Sequence, residues 1–158
     1  MNLFSYTSGV LAFIVYLMQI GRNPDEINNI QKNIGRKVAD AIFNDFISKL
    51  KRVPRNINEL RSFVNGLLEY SVGQKFDQVE IRGGGREVMI ICRVKSCKFC
   101  LDLESPLPAI FMCSELAGII ERIIERLSTD LGIKSVKCQE TRCRARGDAY
   151  CEFVIKIS

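Results

Sequence analysis

The sequence predicts an α+β fold, in which N-terminal helices pack on an antiparallel sheet made of two hairpins with an intervening amphipathic helix. Three observations point there. Apolar residues recur at helical spacing through the first half; the period falls to two from Phe76 onward, on both sides of Gly83-Gly84-Gly85; and a second period-two stretch closes the chain around a loop containing Gly147-Asp148. The 158 residues fit one domain, 1–158, with an apolar helix in 1–22, further helices in 23–73, and the sheet, its helix and a metal site in 76–158.

The apolar run from Val10 to Ile20 is interrupted only by Gln19. It is about half as long as a membrane-spanning helix requires, no basic residue precedes it and no small-residue cleavage site follows, so the expectation is no membrane span and a helix that is buried or faces a partner, in the scaffold reading through Leu3 to Ile20. An intracellular, cytoplasmic protein and a homodimer are expected with it. Residues 23 to 52 read as a long amphipathic helix: Asn23 is its N-cap, Pro24 takes the first helical position, and Glu26 completes a capping box. Its expected buried stripe is Ile27, Ile30, Ile34, Val38, Ala41, Ile42 and Phe46. Asn56, with Glu59 three residues on, starts another helix through Ile57, Leu60, Phe63, Val64, Leu67 and Leu68, ending near Gly73.

Val79 and Ile81, then Val88, Ile90, Cys92 and Val94, alternate across the triple glycine as a β-hairpin. After Ser105-Pro106-Leu107-Pro108, the apolar face Cys113, Leu116, Ala117, Ile120, Ile123, Ile124 and Leu127 marks an amphipathic helix that closes before Gly132. Residues 133–140 and 149–157 form the last hairpin. Alternation puts Val136, Cys138 and Glu140 on one face, and Ala149, Cys151, Phe153, Ile155 and Ile157 on one face of the partner strand, both directed at the core.

Composition excludes several function classes. A net charge of +5 without a dense basic stripe argues against nucleic acid; the one comparable cluster, Lys49, Lys51, Arg52 and Arg55, reads as the basic end of a helix. Histidine is absent, which rules out His-based acid-base or triad catalysis, and no nucleotide-binding fingerprint is present; no catalytic residue is assigned. Gly83-Gly84-Gly85 opens no helix and carries no Lys-Ser/Thr pair, so it is a turn, not a phosphate loop. Seven cysteines without a secretory signal point to metal, redox chemistry or packing ahead of disulfides.

Glu140, Cys143 and Cys151 stand as Glu-x2-Cys-x7-Cys across the final hairpin, and Cys113, in the first turn of the preceding helix and on its apolar face, supplies a fourth anionic donor. Soft thiolates select zinc over magnesium or calcium. Three thiolates and a carboxylate fill a tetrahedron, which makes the expected cofactor a structural Zn²⁺. The alternative is that Cys113 and Cys151 are small core hydrophobes; a carboxylate on the inward face of a strand is costly unless it is bound, and this weighs toward metal. Cys138, two residues before Glu140, is the substitute ligand. Arg142, Arg144 and Arg146 either offset the charge of the cluster or are solvated loop residues. Cys97 and Cys100 form a lone CxxC, read as packing or a non-catalytic thiol pair ahead of redox catalysis, because Leu101-Asp102-Leu103-Glu104 still alternates like a strand.

Cys113-Ser114-Glu115-Leu116-Ala117-Gly118 and the stretch from Glu140 through Gly147-Asp148 to Cys151-Glu152-Phe153 resemble the vinyl-4-reductase domain family. Gly9 to Leu17 and Asn33-Ile34-Gly35-Arg36-Lys37-Val38 are similar, more loosely, to the TRAPP subunits of Golgi tethering in the same superfamily. The resemblance implies a TRAPP/NO-signalling ligand-binding-like fold, usually dimeric, that holds a small hydrophobic ligand (aromatic, porphyrin-like or acyl) in an internal pocket. In the phenol-responsive activators of this superfamily, zinc is held by a Cys before a helix and by Glu-x2-Cys-x7-Cys, a pattern that falls here on Cys113, Glu140, Cys143 and Cys151. The implied function is a stand-alone sensor or carrier; a TRAPP-like scaffold is the alternative, and a tetrapyrrole reductase or CxxC thiol enzyme a lesser one.

Overall fold

The structure is a computed structural model that describes residues 3–50, 52–84, 87–100 and 103–158, with the side chains from residue 9 onward. Among the described residues, five α-helices and a four-stranded antiparallel sheet follow one another as α1 (Leu3–Gln19), α2 (Pro24–Lys49), α3 (Leu60–Val72), β1 (Gln78–Gly84), β2 (Glu87–Val94), α4 (Ser114–Arg126), α5 (Ser128–Leu131), β3 (Val136–Arg142) and β4 (Cys151–Ile157). The expected α+β architecture is the observed one.

Local chemistry fixes the helix boundaries. Asn23 accepts from the Glu26 amide and Glu26 accepts from the Asn23 amide, both at 3.0 Å, so the capping box starts α2 as expected. Asn56 accepts from the Glu59 amide and opens a 3-10 turn, Ile57–Glu59, that runs into α3. Gly73 and Gly132, at φ 67° and 65°, end α3 and α5 in the left-handed region that glycine enters without a Cβ clash.

The sheet order is β1-β2-β4-β3, so the two hairpins join through their inner strands, with Val94 opposite Cys151 and Cys92 opposite Phe153. Val136, Cys138, Glu140, Cys151, Phe153, Ile155 and Ile157 are all buried on the face covered by helices. Ala149 is exposed and lies before β4, which begins at Cys151; the turn around Gly147 takes up the residues expected to extend the strand. On the outer face, Arg93 meets Glu152 across strands at 2.6 Å.

Helix α4 lies between α2 and the sheet, and its Leu116, Ile120, Ile123 and Ile124 are fully buried. Each such side chain contributes about 2 kcal/mol of burial. The α2 stripe differs from expectation. Ile27 and Phe46 are buried, but between them the deepest line is Gln31, Gly35 and Ala39; Ile30, Ile34, Val38 and Ile42 are half-buried flanks and Ala41 is exposed. Close approach of the two helices is the reason. A Cβ on Gly35 would sit 1.9 Å from the Glu115 carbonyl oxygen, and one on Gly118 2.0 Å from that of Lys32. Small residues therefore occupy the crossing, and larger ones are displaced to its edges.

Candidate metal centre

Four separate segments bring cysteines to one end of the sheet. Cys113 is the N-cap of α4, one residue before the first turn in which it was expected. The segment leading to it is held on α2, where Asn28 accepts from the Phe111 amide and donates to the Ala109 carbonyl, both at 2.9 Å. Glu140 lies near the end of β3, beside a register shift between Glu140 and Arg142 that turns the chain toward Cys143. Asp148 accepts from the Cys143 amide at 2.8 Å, and Gly147, at φ 92°, lets the loop double back so that Cys151 begins β4 next to Cys143. The Gly-Asp pair thus closes the loop that carries two of the donors.

The fourth segment is the CxxC. Because Val94 pairs with Cys151, the end of β2 delivers Cys97 and Cys100 to the same place. Gln74 accepts from the Lys98 amide at 2.6 Å and Asp77 from the Lys95 amide at 2.6 Å, anchoring the turn on the link between α3 and β1. Leu103 and Glu104 are not in a strand, and Leu101 and Asp102 lie outside the described residues. Cys97 and Cys100, which the sequence left outside the expected ligand set, adjoin it: their sulfurs lie 3.7 Å from that of Cys113 and 3.3 Å from that of Cys151, respectively.

Two sets of four donors result, Cys113, Glu140, Cys143 and Cys151, and Cys97, Cys100, Cys113 and Cys151; within each, the donor atoms lie within 4.8 Å of one another and every residue is buried. Such a cluster could hold a metal ion. All seven cysteines are free thiols. Cys138, the expected substitute ligand, joins neither set, and its side chain is core; burial pushes its thiol up, as it pushes Cys92 up to about 12.

The donor set fits a cation on its own geometry. Glu140 is 3% exposed; one oxygen accepts from the Cys113 amide at 2.9 Å, while Oε1 is buried without a hydrogen-bond partner. Burial first, and then the neighbouring Cys143 sulfur, raise its pKa well above the carboxylate range. The sulfurs share protons unequally. Hydrogen bonds from Cys113, Cys143 and Cys151 lower Cys100 to about 4; those from Cys100, Cys113 and Cys151, with the Phe99 amide, lower Cys97; Cys113 and Cys151 are raised, chiefly as donors to Cys100. Cys100 pushes Cys143 up, but hydrogen bonds from Cys113 and Cys151 outweigh it and bring Cys143 to about 7. The Arg144 amide points at the Cys151 sulfur, 3.3 Å away.

Arg142 and Arg144 are exposed, as the reading of solvated loop residues expects, and Arg146 is half-buried. The Arg144 guanidinium donates to the Lys95 carbonyl, Arg146 stacks 4.0 Å over the Phe111 ring, and Arg142 lies over Tyr150 at 5.3 Å. They fasten the loop to its surroundings. Beside the centre, a cleft of 660 Å³ is bounded by α2, the segment before α4, and β3; Asn28, Lys32, Phe111, Ala117 and Glu140 line it. Its lining mixes polar and apolar groups. A further buried carboxylate escaped the sequence reading: Glu121 of α4 accepts from Lys32 and Arg36, each at 2.6 Å, and from the Cys138 amide at 2.7 Å. Its i+4 partner Glu125 also meets Arg36, and this acidic pair on a helix facing Lys32 and Arg36 of α2 was the available signal.

No helix among the described residues is long and apolar enough to cross a membrane. The family model of the vinyl-4-reductase domain matches residues 90–157. An uncharacterised protein of Methanocaldococcus jannaschii is 30% identical over 131 residues, covering 83% of this chain; the chain spans 63% of that relative's length. Among solved structures, a trafficking protein particle complex subunit 3 from Naegleria fowleri, covalently bound to palmitic acid, superposes with a TM-score of 0.77 at 14% identity, covering 99% of this chain and 95% of that one. The phenol-responsive sensory domain of the transcription activator PoxR, with phenol, gives 0.59 at 10% identity, covering 99% and 75%. The fold is shared with both, and the residues matched by the family model contain every donor from Cys97 to Cys151.

Proposed function

We propose that this chain is a zinc-stabilised vinyl-4-reductase-type module that binds a small hydrophobic molecule, as a sensor or carrier. The observation that carries the metal half is Glu140 Oε1, a buried carboxylate oxygen without a hydrogen-bond partner beside the thiols of Cys113, Cys143 and Cys151. Zn²⁺ bound by these four would cross-link α4 to the final hairpin and leave no coordination position for water, a structural role. What the chain's own residues do is orient the donors: the Cys113 amide holds one Glu140 oxygen, and Asp148 holds the Cys143 amide.

The ligand half is supported by the family match, by phenol and palmitic acid in two proteins of the same fold, and by the 660 Å³ cleft. Phe111, Ala109 and Ala117 offer it apolar surface, while Asn28 and Lys32 suit a polar end. Native mass spectrometry of freshly purified protein, with metal analysis, tests both halves. The expected result is retained zinc, with one ion fewer in a Glu140→Gln, Cys143→Ser variant, and a co-purified or titratable apolar compound. Finding neither metal nor compound would remove the proposal's basis.

A dimeric scaffold is the second reading, favoured by α1, on which Phe13, Val15 and Tyr16 are exposed, with Ile20 just beyond its end. Sedimentation of the full chain and of a truncation beginning at Arg22 tests it. A dimer that becomes monomeric on truncation supports it, and a monomeric full chain sinks it.

A further inference from the structure

The two donor sets are not alternatives drawn from unrelated residues. Each is a complete set of four, and they share only Cys113 and Cys151; Cys97 and Cys100 belong to one, Glu140 and Cys143 to the other. We infer that the six side chains form a dinuclear centre, in which Cys113 and Cys151 bridge two divalent ions, each completed by two terminal donors. The inference rests on the zinc site proposed above and adds a second ion to it.

Distances agree with this division. Metal–sulfur bonds of about 2.3 Å give tetrahedral sulfur–sulfur edges of about 3.8 Å. The Cys97–Cys113 and Cys100–Cys151 separations are 3.7 and 3.3 Å, each joining a terminal sulfur to a bridging one. The CxxC is shaped as a ligand turn: the Cys100 amide donates to the Cys97 carbonyl at 3.2 Å, and the Phe99 amide is directed at the Cys97 sulfur. Backbone donors of this kind stabilise a thiolate without a side-chain cation.

Charge favours two ions over one. A single ion in the Glu140 set leaves Cys97 and Cys100, each 2% exposed, packed against the anionic sulfurs of the two shared cysteines. As thiolates they would be uncompensated in a dry site; as thiols they would have to point their protons at a sulfur already bound to metal. Two divalent ions neutralise four of the six negative charges, and each thiol that enters the centre releases its proton to solvent. Two thiolates that each serve two ions provide the compactness that a cluster of five sulfurs and one carboxylate requires.

Metal stoichiometry by native mass spectrometry, on the full chain titrated with zinc after metal removal, tests the inference. The expected values are two ions for the unaltered chain, one for Cys97→Ser, Cys100→Ser, and one for Glu140→Gln, Cys143→Ser. Cobalt(II) titration of the unaltered chain gives an independent reading that needs no variant. The paramagnetic signal should rise with the first equivalent and fall with the second, as bridging sulfur couples the two ions. A single ion in the unaltered chain that is retained when Cys97 and Cys100 are replaced, with a cobalt signal that never falls, overturns the dinuclear centre and leaves the zinc site standing. A single ion in the unaltered chain, lost on that replacement but kept without Glu140 and Cys143, overturns both, as does binding of no metal. Iron with inorganic sulfide in the native protein also overturns it.

Discussion

Glu121 and Glu140 are carboxylates buried to nearly the same degree, at 6% and 3% exposure, on elements that pack against each other. Around Glu121 the chain supplies its own compensation: Lys32, Arg36 and the Cys138 amide all reach it within 2.7 Å. Around Glu140 it supplies one amide and a group of thiols, leaving Oε1 without a partner. Burial costs a carboxylate about the same in both places. The first region is a finished structural contact, and the second leaves a buried carboxylate oxygen that the proposed ion would complete.

Metal removal should separate the two regions most strongly. Chelation is expected to lower the melting temperature sharply, because structural zinc contributes on the order of 10 kcal/mol in small metal domains. Thermal melts before and after verified removal measure it, and an unchanged midpoint would mean the cysteines only pack. Next in size is the crossing that seats Glu121 against α2. Gly118→Ala must push the Lys32 carbonyl away from a 2.0 Å contact and should cost about 3 kcal/mol by chemical denaturation, with or without metal.

Substitution of the carboxylates sharpens the comparison. Glu121→Gln should destabilise both metal-loaded and metal-free protein by about 2 kcal/mol, a buried-pair cost reduced because Lys32 and Arg36 are 28% and 30% exposed. Glu140→Gln should be nearly neutral without metal, since it resembles the protonated carboxyl that burial favours, and should weaken metal binding. Equal effects of the two substitutions in metal-free protein would erase the distinction.

The smallest effect is on the outer face. Burial pushes Glu152 up, but hydrogen bonds from Arg93 and Thr141 outweigh it and hold its pKa below the ordinary value. A depressed folded pKa stabilises above the unfolded value of about 4.3, and the gain disappears as pH falls through the folded one. The stability difference between the unaltered chain and Glu152→Gln, about 1 kcal/mol or less at neutral pH, should therefore shrink on acidification.

The Gly35 and Gly118 contacts also connect the two stretches that carried the family resemblance. Ile34-Gly35-Arg36 and Leu116-Ala117-Gly118 lie far apart in the chain, yet each glycine faces the backbone of the other helix. Periodicity selected large apolar residues as the stripe of α2 and so placed Ala41 inside, because a hydrophobic pattern has no signal for a crossing tight enough to demand no side chain at all.

By itself the sequence determined what depends on near neighbours: the Asn23 and Asn56 caps, the turns at Gly73 and Gly132, the alternation of both hairpins, and the loop that brings Glu140, Cys143 and Cys151 together within twelve residues. Only the tertiary structure decided that β2 pairs with β4, which carries Cys97 and Cys100 to Cys151, and that α4 lies against α2, which surrounds Glu121 with cations. Caps and hairpins are specified by interactions a few residues apart. Pairing between hairpins and the crossing of helices depend on how whole faces fit, which no local spacing records.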